Sequence, residues 1–140
     1  KGYTLVNYIS SQAFVWHDVH MGDNIFIFEN NTVQKSVTLG RGVILWSGNH
    51  IAHHSNIGEF TFISSQVALA GFSKIGKNCF IGVNSSMCDQ LNIGDFCWIG
   101  HGTVINNDIP EYSMVRAGES QIKLLNEKVL NRYLNRRSKG

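Results

Sequence analysis

The chain has 140 residues, a mass of 15.7 kDa, 16% charged residues and a formal net charge of +2. Its length suffices for one domain with a core, and its small net charge excludes a strongly basic nucleic-acid binder. The 43% of hydrophobic residues exclude a disordered chain, and no apolar run approaches the roughly 18 residues of a membrane span. Because typical soluble domains carry about 25% charged residues, we expect part of this surface to be covered by another surface.

Residues 1–8 are predicted to form a leading strand, and a repeat domain is predicted over 9–110. Within the repeat an aliphatic residue, called the anchor below, recurs every six positions. A period of six is neither helical nor that of an alternating strand, and it is typical of a parallel β-helix. The anchors are Ile9, Val15, Met21, Ile27, Val33, Leu39, Leu45, Ile51, Ile57, Ile63, Leu69, Ile75, Ile81, Met87, Ile93, Ile99 and Ile105.

A second period of 18 residues predicts coils with three sides, about 5.7 coils in all. Glycine follows the anchor at 18-residue intervals, and we interpret it as the residue of a tight corner. The small residue four places after each anchor is expected to point inward, which places Cys79 and Cys97 in the core. An outward apolar row needs a cover, either another subunit, the C-terminal helix or a ligand. That row is Phe26, Ile44, Phe62, Phe80 and Trp98.

After Pro110 the six-residue phase stops, and 111–140 is predicted to be a C-terminal extension with one α-helix over 119–138. Ser120 is a plausible N-cap, and an apolar stripe faces a basic side. The stripe is Ile122, Leu125, Val129, Tyr133 and Leu134. The three cysteines fit no zinc-ribbon spacing, and we interpret them as free thiols of a reducing cytoplasm.

Three histidines stand within five residues, at His50, His53 and His54, beside Asn49. His53 is the third residue of its hexad, an outward or corner position that a reactant can reach. An imidazole, whose ordinary pKa is about 6.5, accepts a proton at neutral pH and suits general-base catalysis. Histidines scattered on a scaffold surface are the alternative, and the clustering favours a site.

Two alternatives from other classes remain open. In a metal-dependent β-helix enzyme of γ-carbonic-anhydrase type, one histidine ligand is followed at a distance by two more that lie five apart. His17 and His53 match the first interval, but Gly58 stands five residues beyond His53, so no metal is expected. A non-catalytic β-helix scaffold, such as an ice-binding prism, should carry an outward threonine ladder, and the threonines share no 18-residue register.

The hexads and the stretch 46–58 (WSGNHIAHHSNIG), followed by 62–65 (FISS) and 69–71 (LAG), resemble the hexapeptide-repeat acyltransferases that modify bacterial sugars. The branch that the chain looks most like contains the sialic-acid O-acetyltransferases and the nucleotide-sugar N-acetyltransferases. The resemblance implies a left-handed parallel β-helix, although crossover connections in general are right-handed. It also implies acetyl-CoA as co-substrate, a sugar or sugar-nucleotide acceptor, and a cytoplasmic homotrimer.

The resemblance further implies roles for individual residues. His53 corresponds to the general base, and His54 replaces the acidic residue that usually follows it. Acetyl-CoA is expected in a groove between subunits, with an acetyl group passing directly to a sugar amino or hydroxyl group. The expected cofactor contacts are Phe62, which replaces a histidine of the family, and Gly71, Val83 and His101; the expected acceptor contacts are Asn49 and His50. A small α/β sugar-nucleotide domain usually precedes the prism in this family, and no segment here matches it.

Overall fold

The computed structural model describes residues 2–3 and 5–118, and the helix predicted over 119–138 lies outside them. The described part is all-β and consists of short parallel strands joined by tight turns. The strands are β1 (Tyr8–Ile9), β2 (Phe14–Val15), β3 (His20–Met21), β4 (Phe26–Ile27), β5 (Thr32–Val33), β6 (Thr38–Leu39), β7 (Ile44–Leu45), β8 (His50–Ile51), β9 (Asn56–Ile57), β10 (Phe62–Ile63), β11 (Ala68–Leu69), β12 (Lys74–Ile75), β13 (Phe80–Ile81), β14 (Ser86–Met87), β15 (Asn92–Ile93), β16 (Trp98–Ile99), β17 (Val104–Ile105) and β18 (Met114–Val115).

Each strand from β1 to β14 pairs with the strand three later in the chain, β16 pairs with β18, and the pairs make three parallel sheets. The aromatic sheet has the order β1-β4-β7-β10-β13-β16-β18. The groove sheet has the order β17-β14-β11-β8-β5-β2, and the third sheet has the order β15-β12-β9-β6-β3. In the pairing of β7, β10 and β13, Ile44 aligns with Phe62 and Phe62 with Phe80, a register of 18 residues. The predicted β-helix with three-sided coils is therefore confirmed.

The core of the prism is a stack of the aliphatic anchors. Ile27, Leu45, Ile63 and Ile81 are each fully buried, one above another in the aromatic sheet. Neighbouring coils thus bury each other's apolar rows, which is what stabilises a solenoid whose coils touch only their neighbours. The polar residues that also point inward bond the next coil, as where Thr61 Oγ1 donates to the Gly76 carbonyl at 2.8 Å.

The glycines that follow the anchors are explained by stacking and not by an unusual φ angle. A Cβ atom on Gly58 would lie 2.5 Å from the backbone of both Gly76 and Lys77 in the next coil. The left-handed φ angles occur two residues further along, for example 55° at Phe60. The glycine row is therefore required by the close approach of successive coils, and the tight turn expected there follows directly at residues such as 59–60.

The two ends of the solenoid depart from the regular period. Strand begins only at Tyr8, and residues 5–7 form no strand. At the other end the last coil is two residues shorter, because Trp98 pairs with Met114 and Ile93 bridges to Ile109. The six-residue phase was predicted to stop at Pro110. The aromatic sheet nevertheless gains one strand beyond that residue, β18. None of the described residues belongs to a helix that could span a membrane.

Candidate active site

The outer surface of the aromatic sheet is a continuous apolar stripe, as predicted. Phe62 and Phe80 stack with ring centroids 5.7 Å apart, and Phe80 stacks on Trp98 at the same distance. Trp98 keeps 38% of its side-chain surface exposed. The full outward row is Tyr8, Phe26, Ile44, Phe62, Phe80, Trp98 and Met114. Such a contiguous apolar stripe marks an interaction surface.

The groove sheet presents a different outer row, which is aromatic at one end and small or polar elsewhere. From the first coil onward this row is Phe14, Thr32, His50, Ala68, Ser86 and Val104. His50 is thus exposed on the face of this sheet. The short side chains that follow it leave room above the sheet for another molecule.

His53 and His54 lie in the turn between β8 and β9, at the edge of the groove sheet. Their Nδ1 atoms are 3.1 Å apart, within hydrogen-bond distance. Since a hydrogen bond needs one donor and one acceptor, only one of the two Nδ1 atoms carries the shared proton. The Nε2 atom of His53 is then left for a reactant. The backbone N–H of His53 donates to Gln34 Oε1 at 3.0 Å and so ties the turn to the preceding coil.

An aromatic ring and a glycine hold the two imidazoles from the next coil. The His54 ring stacks on Phe72 with centroids 4.8 Å apart, and the His53 ring meets the same phenyl edge-on at 5.1 Å. His54 and Phe72 both have left-handed φ angles, of 58° and 57°. These contacts leave little freedom for the pair, so the half-buried His53 ring is held in a defined orientation.

Gly71 makes room for the His53 ring. A Cβ atom at this position would lie 2.7 Å from His53 Cε1 and 3.0 Å from Nε2. The carbonyl of Gly71 accepts from Gln90 N at 2.9 Å, whereas its N–H donates no hydrogen bond within residues 2–3 and 5–118. A free backbone N–H beside an imidazole is the kind of donor that stabilises a developing oxyanion.

Two grooves meet at His53. The small-residue groove, about 430 Å³, runs toward later coils and is lined by Gln34, His50, Ala52, His53, Ala68, Leu69, Ala70, Gly71, Ser86 and Met87. The tryptophan groove, about 330 Å³, lies toward the first coil and is lined by Phe14, Trp16, Thr32, Gln34, Lys35 and His53. A reactant in either groove can therefore reach the same imidazole.

Asn49 does not lie in either groove. It is buried, its Oδ1 accepts from Val67 N at 2.8 Å, and its Nδ2 donates to the Trp46 carbonyl at 2.7 Å. Asn31 occupies the same place one coil earlier, and its Oδ1 accepts from Asn49 N at 3.2 Å. The two side chains form an internal ladder that holds the corner between the aromatic sheet and the groove sheet. The Asn49 amide therefore faces the backbone and not the surface.

The other predicted cofactor contacts lie away from His53 within one chain. Val83 and His101 are exposed at the corner between the aromatic and groove sheets, on successive coils. Phe62 lies on the aromatic sheet, on a different side of the prism from His53. Val83 and His101 thus border the groove sheet at its opposite edge, and none of these three residues lines either groove.

Cys79 and Cys97 are buried in the core, as predicted, and burial raises the pKa of the Cys79 thiol. A raised pKa disfavours the thiolate, so Cys79 is unsuited to be a nucleophile. Among the residues that the structure describes, no three His, Cys, Asp or Glu side chains come together as a metal-binding group.

Sequence reasoning missed Gln34 and Phe72, which contact the histidine pair from the coils before and after it. The 18-residue period of one coil could have identified Phe72, because this residue lies 18 positions after His54. It also missed Phe14 and Trp16, which belong to the first coil and line the tryptophan groove.

Comparison with solved structures shows which proteins share this fold. The perosamine N-acetyltransferase of Caulobacter crescentus, solved with CoA and GDP-perosamine, is 26% identical with a TM-score of 0.80 over 81% of this chain and 55% of that one. The acetyltransferase domain of PglB from Neisseria gonorrhoeae, solved with acetyl coenzyme A, is 27% identical with the same TM-score and the same coverage. The UDP-N-acetylglucosamine O-acyltransferase of Moraxella catarrhalis, at 24% identity and a TM-score of 0.73, covers 91% of this chain and 57% of that one and shares the fold.

The chain has the fold of the hexapeptide-repeat acyltransferases. This fold is the left-handed β-helix, which confirms the predicted architecture. The chain spans about half the length of the first solved structures that it matches, 54–55%. No protein-family model matches it, and no curated protein matches it.

Proposed function

We propose that the chain transfers an acetyl group from acetyl-CoA to an amino or hydroxyl group of a sugar that is linked to a nucleotide. The observation that carries this proposal is the position of His53, which is half-buried where two grooves meet and lies against Gly71. The proposal is supported by the likeness to structures solved with CoA, acetyl coenzyme A and GDP-perosamine.

The reaction is a direct transfer in which His53 serves as general base. Its Nε2 removes the proton of the acceptor while the acceptor nitrogen or oxygen attacks the thioester carbonyl carbon. The tetrahedral intermediate then collapses, the carbon–sulfur bond breaks, and the CoA sulfur leaves and takes the proton from the His53 imidazolium. General-base catalysis of this kind contributes about 10²–10⁴ in rate.

His54 and Gly71 assist His53 in this scheme. When the Nδ1–H of His53 donates to His54 Nδ1, the base is held in the tautomer with a free Nε2. The same hydrogen bond persists when His53 becomes protonated, so His54 stabilises the cation without carrying a charge itself. The N–H of Gly71 donates to the oxyanion of the tetrahedral intermediate.

The small-residue groove is the proposed path of the pantetheine arm of acetyl-CoA. Ala52, Ala68 and Ala70 keep this path open, and it ends at His53 and Gly71, where the thioester would lie. A long flexible chain suits a shallow surface whose contacts are mostly with backbone and small side chains. His50 lines this same groove, so its predicted contact with the acceptor requires the acceptor to reach past His53 toward the thioester.

A homotrimer would complete the site. Phe62 lies on a different side of the prism from His53, so it can contact the cofactor only if the aromatic sheet of one copy faces the His53 edge of another. Val83 and His101 would meet the cofactor in the same groove between copies. Since acetyl-CoA is made and used inside cells, the proposal keeps the predicted cytoplasmic location.

The direct test measures free CoA released from acetyl-CoA in the presence of a panel of amino-sugar and hydroxy-sugar nucleotides. We expect acceptor-dependent release by the wild-type chain, and a decrease in kcat of about 10²–10⁴ for His53→Ala, since the base is removed. His20→Ala is the matched control, because His20 is an exposed histidine on the third sheet, and it should retain wild-type turnover. A folded His53→Ala chain with near wild-type kcat would rule out the assignment of the base.

A further inference from the structure

The tryptophan groove carries two exposed aromatic rings beside the proposed base. Phe14 and Trp16 keep 55% and 42% of their surface exposed, and their ring centroids are 5.7 Å apart at an interplanar angle of 66°. Neither ring packs into the hydrophobic core. Large aromatic side chains that stay exposed in a concave site are characteristic of ligand binding, because they offer apolar area on rigid rings.

The rim of this groove carries the cation of a lysine. Lys35 is exposed, and it forms no ion pair with any of residues 2–3 and 5–118. The nearby carboxylate of Asp18 is already engaged, because Ser36 N and Ser36 Oγ donate to it at 2.9 and 3.1 Å. These hydrogen bonds lower the pKa of Asp18 and keep it ionised. Among the described residues no carboxylate forms an ion pair with the Lys35 ammonium, which leaves it available to an anion such as a phosphate.

We propose that the tryptophan groove binds the acceptor, with the sugar ring on Phe14 and Trp16 and its phosphate near Lys35. The apolar C–H face of a pyranose ring packs well on an aromatic ring, while its amino or hydroxyl group can face His53, which lines the same groove. The groove volume of about 330 Å³ lies at the lower end of the ~300–1,000 Å³ of small-molecule sites.

The opposite groove explains why the sugar takes this side of His53. The small-residue groove is lined by alanines, Gly71 and two histidines but by no Phe, Tyr or Trp ring, and it suits the extended arm of the cofactor. With the acceptor on the other side, its nucleophilic group and the thioester can meet beside the imidazole, and direct transfer requires this proximity. The role of this groove in catalysis rests on the proposed function, whereas the binding of a sugar to Phe14 and Trp16 does not.

The first experiment measures the KM for the acceptor and the KM for acetyl-CoA separately in Trp16→Ala. We expect the KM for the acceptor to rise about tenfold, since an aromatic contact of about 1.4 kcal/mol is lost, while the KM for acetyl-CoA stays unchanged. Phe96→Ala is the matched control, because Phe96 is 43% exposed at another corner, and both KM values should remain those of the wild type. An unchanged acceptor KM in Trp16→Ala would overturn the inference.

The second experiment tests the role of Lys35. In Lys35→Ala the KM should rise severalfold for the nucleotide-linked sugar and not for the same sugar without phosphate, and Lys35→Arg should restore it. An equal rise in KM for both acceptors, or no rise for either, would show that Lys35 does not bind the phosphate of the acceptor.

A binding measurement keeps the inference separate from the activity. Saturation-transfer NMR with the same sugar nucleotides should show sugar-ring contacts in the wild type and in His53→Ala, and their loss in Trp16→Ala. Such binding without CoA release would refute the proposed function but support the acceptor site. Trp16-dependent contacts to the nucleotide base alone, or no binding of any panel member, would overturn the acceptor site.

Discussion

The aromatic sheet and the groove sheet share one backbone design and one kind of interior, but their outer faces differ. Inside, Leu45 of the former and Ile51 of the latter are equally buried anchors. Outside, Phe62, Phe80 and Trp98 stack into a stripe on one sheet, whereas His50, Ala68 and Ser86 leave the other open. The inward residues of each hexad thus specify the solenoid, and the outward residues are free to specify different tasks for each side.

This division of roles suggests that one side of the prism associates and another performs the chemistry. Within residues 2–3 and 5–118 the aromatic stripe lines neither of the two grooves, while the edge of the groove sheet holds the histidine pair and both grooves. If the division is correct, substitutions on the two sheets should have separable effects on activity, assembly and stability. Three predictions beyond those at His53 and Trp16 test this separation.

The largest of the three effects is expected for Gly71→Ala. The new methyl group would lie 2.7 Å from His53 Cε1, so the imidazole must move away from the reacting atoms. We expect kcat to fall about tenfold or more, because a small displacement of a catalytic group is costly, while the melting temperature changes little. The measurement is CoA release together with thermal unfolding.

Gly58→Ala is the contrasting control for that prediction. There the new methyl group would lie 2.5 Å from the backbone of the next coil, which cannot move aside as a side chain can. The expected result is a loss of about 1–3 kcal/mol in the free energy of unfolding. If Gly71→Ala instead lost stability and kept its kcat, the packing of His53 over Gly71 would not contribute to catalysis.

The second prediction concerns the aromatic sheet. Phe80→Ser removes one ring from the middle of the stripe, where burial against another copy would contribute about 1.5–3 kcal/mol. By light scattering we expect a wild-type mass of three times the 15.7 kDa of one chain, and a shift of Phe80→Ser toward the single-chain mass. Activity should fall with the mass if, as proposed, Phe62 of one copy completes the cofactor site of another.

Val104→Ser is the control on the groove sheet, where Val104 is 67% exposed at the last coil, and it should leave the mass unchanged. A wild-type chain with the mass of one copy, or an unchanged mass in Phe80→Ser, would contradict the assembly proposed for this face.

The smallest effect is expected at His54. His54→Ala removes the hydrogen bond to His53 Nδ1 but leaves the base in place, so we expect kcat to fall severalfold, well short of the effect of His53→Ala. His54→Glu should recover the loss, because a carboxylate accepts the same hydrogen bond. Equal losses in His54→Ala and His54→Glu would show that the stacking on Phe72, and not the hydrogen bond, is what His54 contributes.

The sequence by itself determined the solenoid, because every element of the fold is local and repeats. An aliphatic anchor every six residues and a glycine every 18 specify the strand, the coil and the register without reference to distant parts of the chain. The position of His53 within its hexad likewise placed it at the surface near a corner, and the structure has it there.

Only the tertiary structure decided what surrounds His53, because its neighbours belong to other coils. Contacts to Gln34, Gly71 and Phe72 depend on how side chains from successive coils interdigitate, and no local pattern encodes their orientation. For the same reason the amide of Asn49 was found inside the corner and not in the site, and the rings of Phe14 and Trp16 were found beside the base. The repeated residues specify the backbone of each coil. The site is formed by residues that differ from one repeat to the next, and these come into contact only when the coils are stacked.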